Sequence, residues 1–97
     1  MYSDLFNELE QEKARIIRDL RMLECLTEKR IKLIEIIRQR HPNSIRELSR
    51  LLDRDVKNVF DDLLLLQKNS FIKLEQVGRN KKPEVIIKKI IITYKED

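Results

Sequence analysis

The chain has 97 residues, 41% hydrophobic and 39% charged, with one glycine, two prolines and a formal net charge of +4. That length holds one domain with at most an appendage, and a chain so small gains from partner contacts. Little Gly or Pro excludes a loop-rich or disordered chain, and no apolar run approaches the ~20 residues that cross a bilayer. The start, Met1-Tyr2-Ser3-Asp4, lacks the features of a signal peptide. The single cysteine, Cys25, has neither a disulfide partner nor metal-ligand spacing around it. The expectation is a cytoplasmic protein without metal or cofactor.

Residues 1–26 read as one helix. Tyr2, Phe6, Leu9, Lys13, Ile16, Leu20 and Leu23 recur at alternating steps of four and three, a seven-residue repeat with one polar member, Lys13. Leu5, Ile17, Met22 and Leu26 widen the apolar face. The stripe either docks on the chain's own core or joins two copies, and a domain this small offers little surface to cover it. Self-association, with Phe6, Leu9, Lys13, Ile16, Leu20 and Leu23 at the interface, is the favoured expectation. The sequence divides accordingly into 1–26, a dimerisation helix, and 27–97, the main domain.

Thr27 can cap a second helix to about Arg40, with Leu33, Ile34 and Ile37 inward and Ile31 and Ile36 flanking. His41-Pro42 stops it, because the residue before proline is steered away from helical dihedrals. Ser44-Ile45-Arg46-Glu47 is a capping box that opens a short third helix bearing Ile45, Leu48, Leu51 and Leu52. Asp53-Arg54 makes the next turn, with Asp53 in a position that asks for the left-handed conformation. Asp55 caps a fourth helix through about Lys68, with Val59, Leu63 and Leu66 on one stripe.

From Phe71 the period changes to that of strands. Phe71 to Glu75 alternates and Val85 to Tyr94 is rich in Ile and Thr. Between them Val77 to Pro83 is expected to form a turn with the only glycine and three cations. Positive charge concentrates here: residues 77–89 hold Arg79, Lys81, Lys82, Lys88 and Lys89 against Glu84 alone. An anionic partner is expected on this segment.

The order of elements implies an α+β, mainly α fold: a winged helix-turn-helix with an extra N-terminal helix and a two-stranded wing. Such a domain suits double-stranded DNA, since a helix fits the major groove and the helix before it can offer backbone amides to a phosphate. The third-helix N-terminus at Ser44, with Arg46, Arg50 and Arg54, is expected to touch the DNA backbone. Val56, Lys57, Asn58, Phe60 and Asp61 are expected to face the groove. Asn58 suits adenine, Lys57 guanine or phosphate, Phe60 a thymine methyl and Asp61 a cytosine amine. Arg79, Asn80, Lys81 and Lys82 would extend the contact from the wing.

Over residues 23–94 the chain also resembles a family of archaeal and bacterial transcriptional regulators. The resemblance rests on Leu26-Thr27-Glu28-Lys29-Arg30, Ser44-Ile45-Arg46-Glu47-Leu48, the run from Leu52 to Val59 and the wing from Gly78 to Pro83. More distantly the chain resembles DeoR-type and MarR-type repressors, Asp62-Leu63 being similar to a DeoR-type recognition-helix pair. These resemblances imply a winged-helix fold, DNA binding and no catalysis. Asp53 departs from the usual turn glycine, and Asp61 and Leu64 stand where recognition helices commonly carry Arg or Lys. Catalysis has no other support, for His41 is the only histidine and has no paired nucleophile. The alternatives are a winged helix that binds protein, suggested by Phe60 and Leu64 beside Asp61 and Asp62, and an antitoxin-like repressor whose first helix holds a partner.

Overall fold

The computed structural model describes residues 2–87. Within them α1 spans Tyr2–Glu24, α2 Glu28–Arg40, α3 Ile45–Leu52 and α4 Val56–Lys68; β1, Ile72–Val77, and β2, Asn80–Val85, follow. The architecture is α+β and mainly helical. Among the described residues the sheet is one antiparallel pair that sets Ile72 opposite Val85 and Val77 opposite Asn80.

The helices begin where side chains can accept their orphan amides. Thr27, Ser44 and Asp55 all have extended backbones and accept from the amides of Arg30, Glu47 and Asn58, respectively. In the capping box Ser44 Oγ lies 3.1 Å from the Glu47 amide. The reciprocal bond falls one residue before the Ser44 amide that a capping box uses: Glu47 Oε2 accepts from the Asn43 amide at 2.9 Å. The helices end without glycine. His41, Asp53 and Ser70 take φ values of 47°, 51° and 64°, and their amides donate back to Ile37, Arg50 and Gln67 carbonyls.

Leu33 and Ile37 of α2, Leu48 of α3, and Val59, Leu63 and Leu66 of α4 meet Phe71, Ile72 and Cys25 in one buried cluster. Each such side chain stabilises the fold by about 1.5–3 kcal/mol. Ser49 is buried beside them, and its hydroxyl donates to the Arg46 carbonyl at 2.8 Å. At 100° per residue the buried face of α3 runs through Leu48, Ser49 and Leu52. Leu51, apolar like its neighbours, falls outside that face and is exposed. Ile31 is likewise exposed, and Ile34 and Ile36 are partly buried against the core.

α1 stands away from this cluster. Residues 4–21 are all exposed, including Leu5, Phe6, Leu9, Lys13, Ile16 and Leu20, whereas Leu23 is half-buried. Only the last turn, through Met22, reaches the core, joined by Leu26 just beyond it. A 23-residue helix is ~34 Å long, and it draws the molecule out to 57 × 28 × 20 Å. The option that the apolar stripe docks on the chain's own core is not realised among the described residues.

The hairpin differs from expectation. β1 continues to Val77, the turn is only Gly78-Arg79, and β2 begins at Asn80. Asn80, Lys81, Lys82 and Pro83 are thus strand residues, and the expected second strand at Val85–Tyr94 is corrected: Val85 closes β2, Ile86 and Ile87 lie beyond it, and residues 88–94 fall outside those described. A two-residue turn with glycine first, here at φ 60°, matches the right-handed twist of its strands. Its register also sets buried Pro83 opposite Leu74. A proline is admissible there because both strands of a two-stranded sheet are edges. Beyond β2, the amides of Ile86 and Ile87 donate to the Phe71 carbonyl and turn the chain back towards the core.

Candidate nucleic-acid interface

The N-terminus of α3, the first turns of α4 and the hairpin tip converge on a shallow cleft of about 300 Å³. Ser44, Ile45, Arg46, Val56, Phe60, Arg79, Asn80 and Lys81 line it. Three cations and no carboxylate are in that lining. Lys81 Nζ sits 5.6 Å from the Phe60 ring centroid, a cation–π separation worth about 0.5–1 kcal/mol at an exposed site. That contact ties the hairpin to α4 and leaves Phe60 half-buried.

Seven of the thirteen residues expected at a DNA surface meet in this cleft; the others are distributed elsewhere. Asn58, Asp61 and Arg54 line a second depression, on the opposite flank of α4, with Thr27, Glu28, Lys29, Arg30 and Asp62. Lys57 lies exposed on the outer face of α4 and Arg50 exposed on α3. Lys82 is separated from Arg79 and Lys81. It points across the strand to a third depression, with Arg38, His41 and Glu84, because successive side chains of a strand alternate in direction.

The second depression contains a group whose role the sequence did not disclose. Asp62 accepts from Arg30 Nε at 3.1 Å and from Arg54 Nη2 at 2.7 Å. The three side chains are only 16–22% exposed. Arg30 also donates to the Cys25 carbonyl. One carboxylate therefore fastens α4 to the start of α2 and to the α3–α4 turn, fixing how α4 presents its outer face. Arg54, expected to reach the DNA backbone, is engaged in this network, and its Nη1 is buried with no partner among the described residues. Asp62 flanks the buried stripe of Val59, Leu63 and Leu66, a position where a carboxylate needs a partner. That was the available signal, but the partners lie 32 and 8 residues away. A second unforeseen residue is Gln67, whose Oε1 accepts from the Leu74 amide at 3.0 Å and joins β1 to α4.

The outer face of α4 is mixed. Lys57 and Asp61 lie there with Leu64 and Leu65, which are 41% and 40% exposed.

These features define a small, mainly helical α+β protein with a basic cleft between two helices and a hairpin. Residues 25–92 match the HVO_A0114 family, and the chain belongs to that family. The matched stretch begins at Cys25, directly after α1. No curated protein matches the chain. No described helix is long and apolar enough to cross a membrane.

Proposed function

We propose that the protein is a winged helix-turn-helix regulator of transcription that binds double-stranded DNA in the cytoplasm as a homodimer. The observation that carries this reading is the cleft between α3, α4 and the hairpin, in which Arg46 of α3 meets Arg79 and Lys81 of the hairpin without a carboxylate. In this reading α3 and α4 are the helix-turn-helix and the β1–β2 hairpin is the wing. α4 enters the major groove, with Lys57, Asn58 and Asp61 towards base edges. Arg46 and the Ser44 end of α3 meet one phosphate strand, and Arg79 and Lys81 meet the adjacent backbone. A single α4 bearing Asp61 binds weakly, so two half-sites linked by a dimer supply the useful affinity. The exposed stripe on α1 is the surface that joins the two copies. No step of this function calls for catalysis or a cofactor.

The test is selection of bound duplexes from a random pool, followed by anisotropy titrations at two salt concentrations. The reading expects a preferred inverted repeat and an affinity that falls steeply with salt, by about 0.9 log units per log unit of salt for each phosphate neutralised. Absence of duplex binding at tens of micromolar protein and low salt would remove it. One observation favours a second reading, a winged helix that docks on protein: Leu64 and Leu65 form an exposed apolar pair beside Asp61 on α4. Loss of DNA binding on changing Arg79 and Lys81, but not on changing Leu64 and Leu65, separates the two.

A further inference from the structure

α1 carries its charge unevenly. Residues 2–12 hold Asp4, Glu8, Glu10 and Glu12 and no cation. Residues 13–24 hold Lys13, Arg15, Arg18 and Arg21 against Asp19 and Glu24. From residue 4 to residue 21 every one of these groups is exposed, on a helix that reaches the core only through its last turn. The two halves are therefore complementary to each other, though they cannot meet within one straight helix. Two copies can bring them together in only one orientation.

We infer that two copies of the chain pair through α1 in antiparallel fashion, so that the acidic half of each helix lies along the basic half of the other. This rests on the reading of α1 as the dimer helix and adds its direction. A parallel, in-register pair would stack four carboxylates on four at one end and put both Lys13 ammoniums into the same layer of the seam. Like charges so placed oppose association.

The antiparallel arrangement also satisfies the repeat. Layers in such a seam pair a residue that follows a four-step with one that follows a three-step. Lys13 then packs beside Ile16 of the second copy, Leu9 beside its Leu20, and Phe6 beside its Leu23. Arg21 comes level with Glu8 of the other chain and Arg18 with the interval between its Glu10 and Glu12. Arg15, Arg18 and Arg21 lie on the side of α1 away from the seam, so the attraction acts between the net charges of the two halves and not through ion pairs. In this register Lys13 faces an aliphatic side chain across the seam. Its four-carbon stem can lie along that side chain with the ammonium in water.

The direction has a geometric result. Each domain leaves α1 at its C-terminal end, so antiparallel helices place the two domains at opposite ends of the rod. The two Cys25 positions are then ~32 Å apart along the axis at 1.5 Å per residue. That is close to the about 34–36 Å between half-sites one turn apart on a duplex.

Nitroxide labels at Asn7→Cys and at Ala14→Cys, each alone in a Cys25→Ser background, decide between orientations by pulsed dipolar spectroscopy. Serine keeps a donor for the Leu65 carbonyl that the Cys25 thiol reaches. Antiparallel pairing puts the Asn7 sites ~22 Å apart along the axis and the Ala14 sites almost level. The distance at 7 should therefore exceed that at 14 by about 10 Å. Equal short distances at both positions mean parallel helices and overturn the proposal while leaving the dimer intact. Sedimentation of the labelled proteins runs alongside: a monomer at tens of micromolar overturns both the direction and the dimer reading. A dimer with no dipolar signal shorter than about 60 Å at either site moves the interface off α1 and also overturns the proposal.

Discussion

Replacing Asp62 with alanine removes a carboxylate that holds two guanidiniums from different elements, and the cost can be built up from the geometry. Two charge-assisted bonds, at 3.1 and 2.7 Å, are lost. A buried bond to a charged group contributes about 1.5–3 kcal/mol, and partial exposure of all three side chains brings each nearer to ~1 kcal/mol. Arg54 adds a further ~1 kcal/mol, because Nη1 is already buried without a partner and Nη2 then joins it. The total is about 3 kcal/mol, a drop of roughly 12–24 °C in melting temperature for a domain of this size. Urea unfolding followed by circular dichroism measures the loss, and a double-mutant cycle between Arg30→Ala and Asp62→Ala should return a coupling of about 1 kcal/mol. A loss below about 0.5 kcal/mol for Asp62→Ala, or a coupling near zero, would refute the account of Asp62 as the fastening of α4.

Three further outcomes are expected. Arg79→Ala with Lys81→Ala should flatten the slope of log affinity against log salt by about two units, whereas Lys82→Ala, on the other side of the strand, should leave it unchanged; salt titrations with a mixed-sequence duplex read both. Asn58→Ala should weaken binding to the preferred duplex by about 1–3 kcal/mol and leave non-specific duplexes almost unaffected, and equal losses on both would take Asn58 away from the bases. Ile16→Glu with Leu20→Glu should give a folded monomer by analytical ultracentrifugation, since neither residue contributes to the buried cluster, with an unfolding midpoint below that of the dimeric parent and independent of protein concentration.

Local chemistry was the part of the fold most legible in the sequence. The caps at Thr27, Ser44 and Asp55 and the left-handed Asp53 depend on a few adjacent residues, and all four were visible in one dimension. The buried stripes of α2 and α4 followed from their period. The second strand was misplaced because Ile and Thr are abundant from Val85 to Tyr94, whereas Asn80-Lys81-Lys82-Pro83-Glu84 has a poor strand composition. Pairing with β1 and the short Gly78-Arg79 turn, neither of them a composition signal, set the strand there instead. Of the candidate site, the cluster of Arg46, Phe60, Arg79 and Lys81 gathers residues already singled out. The separation of Lys82 followed from the corrected strand, and the engagement of Arg54 followed from Asp62, a partner that only the tertiary fold brings near.

The helix ends at His41, Asp53 and Ser70 hold a reserve of thermal resistance that the chain does not use. Each residue occupies a left-handed backbone region in which a Cβ is crowded, at a cost of roughly 1 kcal/mol that glycine does not bear. The backbone bonds that close these ends, from the amides of His41, Asp53 and Ser70, involve no side chain. Glycine at any of the three would therefore keep the turn, relieve the crowding, and give back part of the gain as the entropy of a freer unfolded chain. Asp53 offers the least, since a short carboxylate tolerates this region best, and His41 and Ser70 offer more. The sequence carries its only glycine at Gly78 in the hairpin turn, so heat tolerance could be raised at the helix ends without a change at the basic cleft or on α1.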